Sequence, residues 1–171
     1  MSSQTDFKWQ MSTDGPETYE RYIVTTWMID QTHDLINAGG IGPHKRVLDV
    51  ACGTGIVGRT GTDLVGPDGR LVCVDLNRGM LRVATRCAAE EGVTDIRWCQ
   101  GDISRMPFSS GDFDTVICQQ GLQFFPEKVS SLKEMRRVLS PEGTLVINVL
   151  GSSGKKPARG CHMRYICRVS G

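Results

Sequence analysis

The sequence predicts an α/β protein built on a doubly wound, mainly parallel sheet in three α/β/α layers. Three observations carry that expectation. Short apolar runs alternate with amphipathic stretches from Arg46 onward, the first three runs are separated by single helical stretches, and each run ends in a glycine or a polar residue. At 171 residues the chain has room for one buried core and not for two ordinary domains.

The elements follow in chain order. From Pro16 to Asn37 the apolar positions Tyr19, Tyr22, Ile23, Trp27, Ile29 and Leu35 are loosely helical, and Gly39-Gly40 gives a stop, so residues 1–40 read as a leading helical segment. Arg46 to Ala51 is a buried strand that turns sharply at Cys52-Gly53-Thr54-Gly55 into a helix over about Ile56 to Val65. Arg70 to Asp75 is a second strand, Asn77 a natural helix cap, and Met80, Ala84, Cys87 and Ala88 the inner stripe of the next helix. Asp95 to Gln100 is the third strand and leads into Gly101-Asp102. Phe113 to Cys118 is the fourth, Pro126 suits the first turn of a helix carrying Leu132, Met135 and Leu139, and a Ser140-Pro141-Glu142-Gly143 turn feeds a fifth strand, Thr144 to Val149. Right-handed crossovers then make the sheet reverse its direction of growth between strands one and four, and ligands of such sheets lie beyond the carboxyl ends of the strands at that point. Residues 41–150 form the domain proper.

The net charge of +1 conceals a division. Lys155, Lys156, Arg159, Arg164 and Arg168 follow Leu150 with no acid among them, which leaves −4 on residues 1–150. A mildly acidic body argues against a nucleic-acid surface, which shows as a clustered basic field. No run approaches the length of a membrane span and the polar start lacks a signal-peptide core, so the expected compartment is the cytoplasm. Cys73, Cys99 and Cys118 sit in strand-like runs as small packed thiols, and no CxxC pair occurs. Cys161, His162 and Cys167 fall short of four zinc ligands at a recognisable spacing, so no metal is expected. Residues 151–171 read as a basic, poorly ordered tail with strand character only over Met163 to Val169.

The chemistry is carried by position. Asp49 with Gly53 and Gly55, then Asp75, then Asp102, then Gln119 and Gln120 all fall at or just past strand ends, where a parallel sheet presents its ligand. Glycines let backbone approach a ligand, and free N–H groups at a helix start attract a carboxylate. Asp75 suits vicinal ribose hydroxyls. Any one of these acids alone could be a cap or turn residue; their repetition at successive strands is the argument. His33, in an amphipathic helix, has no such placement, and no His or Glu is placed to serve as a base, so no catalytic residue is nominated.

The run Val47 to Gly55, V-L-D-V-A-C-G-T-G, resembles motif I of class I S-adenosylmethionine-dependent methyltransferases. Val74-Asp75-Leu76-Asn77, Gly101-Asp102-Ile103 with Met106-Pro107-Phe108, Phe113-Asp114-Thr115-Val116 and Leu139 to Gly143 are similar to the signatures of the ubiquinone/menaquinone-biosynthesis-like small-molecule branch. The likeness spans roughly Tyr19 to Val149 and implies a Rossmann-like fold with S-adenosylmethionine as cofactor. It assigns Asp49, Gly53, Thr54 and Gly55 to the motif I turn, with the glycines at the methionine part, Asp75 to the ribose and Asp102 to the adenine amino group. Leu76, Met80, Gly101 and Ile103 would complete the adenosine pocket, and Gln119 would lie near the transferable methyl. Gln120 and Phe124 lie where the substrate begins, with one of Phe124 and Phe125 expected in the core.

Two readings compete with a methyltransferase acting on a small-molecule acceptor. Gly53-Thr54-Gly55-Ile56-Val57-Gly58 fits the G-x-G-x-x-G of NAD enzymes, but Asp49 before the turn and Asp102 after strand three favour the methyl donor. Family members carry two further strands after strand five, which this chain is expected to lack. That makes a truncated, non-catalytic cofactor-binding or interaction module the second alternative. Strand five would then present an open apolar edge, a route to self-association, unless the tail covers it.

Overall fold

The computed structural model describes residues 14–150 and 164–170. Helix α1 (Gly15–Tyr19) passes through a π-helical stretch, Glu20–Met28, into α2 (Ile29–Gly39), which Gly40 closes in the left-handed conformation. Then follow β1 (Arg46–Val50), α3 (Ile56–Val65), β2 (Arg70–Asp75), α4 (Arg78–Glu90), β3 (Ile96–Gln100), β4 (Phe113–Gln119), α5 (Lys128–Val138), β5 (Leu139–Leu150) and β6 (Arg164–Ser170).

The sheet order is β3-β2-β1-β4-β5-β6. Every pair from β3 to β5 is parallel, and β6 joins β5 antiparallel. The reversal of growth falls between β1 and β4, as the crossover rule requires. Period-two alternation divides the core between two faces. Val47, Leu71 and Cys73 pack with Val65 and Leu81 of the α3 and α4 layer, whereas Leu48, Val50, Val72 and Val74 pack with Met135 and Val138 of α5. Helix α2 extends the first layer, its Leu35 meeting Val57, Ile117 and Val146.

Three details differ from the sequence expectation. The Ser140-Pro141-Glu142-Gly143 segment lies inside β5, where Phe113 pairs Leu139 and Thr115 pairs Thr144, so the extra residues form a bulge that accommodates the proline. Pro126 precedes the N-cap Glu127 of α5 and does not occupy the helix's first turn. Residues 164–170, read as part of a poorly ordered tail, form β6 and cover the edge that β5 was expected to expose. The remainder of that tail, including Cys161 and His162, lies outside the described residues.

Candidate functional site

A cleft of about 340 Å3 opens at the carboxyl ends of β1 to β4, within the size range of small-molecule sites. Ala51 and Gly53 line it from β1, Asp75, Leu76, Asn77 and Met80 from β2 and the start of α4, and Asp102, Ile103 and Ser104 from β3. From β4 come Gln119, Gln120, Gly121 and the segment 124–127, with Ser131 of α5 and, over the top, Tyr19. Backbone strain concentrates here: Ala51, Gly53 and Gln120 all have positive φ, at 55°, 55° and 59°. Ala51 and Gln120 carry side chains that disfavour this region, and such outliers persist where the surroundings hold them. The Gln120 N–H is held by both the carbonyl (3.1 Å) and Oδ1 (3.0 Å) of Asn148.

Asp75 and Asp102 are fixed differently. Asp75 Oδ2 accepts from the Gly53 N–H and Oδ1 from the Asn77 N–H, both at 2.8 Å, which ties the glycine turn to the end of β2. Burial raises its pKa, opposed by these N–H groups. Asp102 is exposed, and its Oδ1 accepts from both the N–H and the hydroxyl of Ser104 at 2.8 Å. Those two bonds lower its pKa, keeping it an anion and leaving Oδ2 for a ligand.

Four predicted cofactor residues shape the wall from behind and do not line it. Asp49 is buried at 1% exposure beneath the turn, its Oδ2 facing the Cys73 thiol at 3.9 Å and its Oδ1 without a partner. Burial and the nearby Asp75 push its pKa well above the usual carboxylate range. One ligating atom each of Asp49, Cys52 and Cys73 lies within 4.8 Å of the others, and burial raises the pKa of all three. Thr54 is buried with its hydroxyl unpartnered. Gly55, at φ 81°, caps α3, and a Cβ there would sit 2.5 Å from the Trp98 ring. Gly101 donates to the Asp75 carbonyl at 3.1 Å and abuts Val74.

On the β4 side the two glutamines part ways. Gln119 lines the cleft, yet its Oε1 accepts from the Thr32 hydroxyl (2.9 Å) and its Nε2 donates to the Met28 carbonyl (3.1 Å). Its amide is thus committed to the leading helix. Gln120 donates through Nε2 to Gln31 Oε1 at 3.1 Å, and its own Oε1 is buried without a partner. Phe124 is half exposed on the cleft, and Phe125 is the core member of that pair.

Sequence reasoning missed Tyr19 and Glu127. The Tyr19 ring covers Gly53, and its hydroxyl donates to Met28 Sδ at 2.9 Å. Burial, then Asp75, raises its pKa. Tyr19 was visible only as one apolar position of a helix, which gives no sign of what the helix packs against. Glu127 stood at a helix start beside two phenylalanines, a signal that went unused.

The arrangement fits S-adenosylmethionine. Among the described residues no Lys, Arg or His lines the cleft, whereas Asp75, Asp102 and Glu127 do, which suits a cationic sulfonium and opposes the pyrophosphate of a dinucleotide. Leu76, 60% exposed, with Met80 and Ile103, offers an apolar strip between the two acids for a flat ring.

A doubly wound sheet with this cleft at its switch point defines a nucleotide-type cofactor domain. Residues 47–143 match the methyltransferase domain family, and the chain belongs to it. It is 37% identical over 113 residues to the ubiquinone/menaquinone biosynthesis C-methyltransferase UbiE of Ectopseudomonas mendocina, a stretch covering 66% of this chain and 44% of that protein. The chain thus spans less than half the length of the curated relatives it matches. Among solved structures, a SAM-dependent methyltransferase from Aquifex aeolicus superposes with a TM-score of 0.72 at 19% identity, covering 83% of this chain and 77% of that one, and shows the fold. The arsenic(III) S-adenosylmethionine methyltransferase of Chlamydomonas reinhardtii is 30% identical with a TM-score of 0.59, covering 66% and 40%. Among the described residues no helix is long and apolar enough to cross a membrane.

Proposed function

We propose that this chain binds S-adenosylmethionine in the cleft and transfers its methyl group to a small-molecule acceptor. The observation that carries the reading is the convergence of Gly53, Asp75 and Asp102, from three successive strand ends, on one cleft that no cationic side chain lines among the described residues. Gly53 presents backbone at the turn, Asp75 and Asp102 hold polar hydrogens of the adenosyl group, and Leu76, Met80 and Ile103 flank its ring. Bound there, the cofactor supplies an electrophilic methyl on a sulfonium centre. The protein contributes by holding the acceptor in line and excluding water, with Tyr19 covering the turn and Gln120 and Phe124 bordering the acceptor's side.

Calorimetric titration with S-adenosylmethionine and S-adenosylhomocysteine tests the reading, followed by methyl-transfer assays over quinol-like and other lipophilic acceptors. Asp75→Ala is expected to weaken S-adenosylhomocysteine binding by about 1 to 3 kcal/mol, the loss of charge-assisted hydrogen bonds. An unchanged dissociation constant removes Asp75 from the site, and binding of NAD with no response to either sulfur ligand overturns the assignment.

A further inference from the structure

We propose that Asp49, Cys52 and Cys73 form a binding site for a thiophilic divalent cation of the zinc class, set beneath the glycine turn. None of the three lines the cleft, so the site stands apart from the cofactor reading. Strands β1 and β2 assemble it. Asp49 and Cys73 are register partners on these parallel strands, which puts their side chains next to each other on one face of the sheet. The Cys52 N–H donates to the Val74 carbonyl at 3.1 Å, which folds the chain beyond β1 back over β2 and brings in the third donor. Asp49 and Cys73 are 24 positions apart and match no metal motif in sequence; only the strand pairing joins them.

The spacing suits a single ion. One ligating atom from each residue lies within 4.8 Å of the others, and Cys73 Sγ stands 3.9 Å from Asp49 Oδ2. With sulfur at about 2.3 Å and oxygen at about 2.1 Å from a tetrahedral zinc ion, the two ligands are about 3.6 Å apart, so this pair is already near the required separation.

Packing accounts for a buried thiol, and not for a buried carboxyl. Asp49 is 1% exposed on the face that holds Val47, Val65, Leu71 and Leu81, and its Oδ1 has no hydrogen-bond partner. Among the described residues no cationic side chain pairs with it. A polar group buried in that state costs stability until something satisfies it. A cation shared with two sulfurs does so, and the donor set selects its class, since magnesium and calcium take oxygen ligands. Burial raises the pKa of all three groups, and the ion displaces their protons to solvent as it binds. Cys52 immediately precedes Gly53 and Cys73 lies two positions before Asp75, so the ion ties the same turn to the same strand as the Gly53–Asp75 hydrogen bond.

Cobalt(II), titrated into the full chain after reduction and removal of metal with a chelator, reports the site. Thiolate ligation gives a sulfur-to-cobalt charge-transfer band, and tetrahedral geometry intensifies the visible absorption. Wild type is expected to show both signals, saturating at about one equivalent, and zinc to bleach them. Cys52→Ala, Cys73→Ala and Asp49→Asn should each weaken uptake by at least about tenfold, since even an outer-shell partner is worth that much to a metal site. Circular dichroism of the metal-free variants reports that they fold, and three separate positions keep the test decisive if one of them does not. Cys161→Ser combined with Cys167→Ser should leave the signals unchanged, which separates the site from the cysteines near the C-terminus. Zinc should raise the melting temperature of wild type and of that double variant, and not that of Cys73→Ala. Absence of the charge-transfer band in wild type, its persistence at full strength in Cys52→Ala and Cys73→Ala, or its loss from the double serine variant overturns the proposal.

Discussion

Asp49 and Asp75 lie at the ends of neighbouring strands, and burial raises the pKa of both, Asp49 well above the ordinary range. The folded chain therefore keeps protons on them where the unfolded chain has released its own. Stability should fall as pH rises from the ordinary aspartate value, about 3.9, toward the native-state values, and level off above them. Asp49→Asn removes the larger contribution without charge, so urea unfolding at a series of pH values should give a flatter profile than wild type. Much of the site was legible at this scale, because strand-end placement depends only on local sequence: Gly53, Asp75 and Asp102 meet in the cleft as expected. Asp49 was not legible as a buried acid beneath the turn, since its neighbour Cys73 is 24 residues away in sequence. Gln119 was legible in place but not in partner, because its bonds go to a helix 87 and 91 residues earlier.

The segment Gly15–Gly39 binds the cleft to the rest of the molecule. Thr32 and Met28 engage Gln119, Gln31 engages both Gln120 and Asn148, and Glu20 pairs with Arg59 of α3 at 2.7 Å. The Arg59 side chain is 3% exposed and also pairs with the more exposed Glu91. Breaking a buried pair costs more than the pair itself contributes, because the partner is left charged and unsolvated. Arg59→Met is thus expected to lose about 3 to 5 kcal/mol in denaturant unfolding, and Arg59→Met with Glu20→Leu to recover most of it. Apolar spacing revealed a helix here, but not the π-helical stretch Glu20–Met28, whose wider turn is not encoded in single-residue periodicity. The bulge in β5 was hidden for a related reason: Ser-Pro-Glu-Gly has turn composition, and only pairing with β4 makes it part of a strand.

Across the whole molecule the parallel order was legible because crossover handedness leaves few topologies. The sixth strand was legible only as strand character over Met163 to Val169, since a short run after a basic, glycine-rich stretch fixes neither its partner nor its direction. Strand β6 satisfies the backbone of β5 from Thr144 to Leu150. Deleting residues 164–171 should uncover that edge, and sedimentation should then show concentration-dependent association where the full chain sediments as a smaller species. The pairing has a further geometric effect. Leu150 faces Arg164 at the cleft end of the sheet, and Ser170 faces Thr144 at the other, so β6 carries the chain away from the ligand side. A surface tether or fused reporter attached after Ser170 would leave the mouth of the cleft unobstructed, whereas the same attachment just ahead of Gly15 would hang beside Tyr19, at the doorway itself.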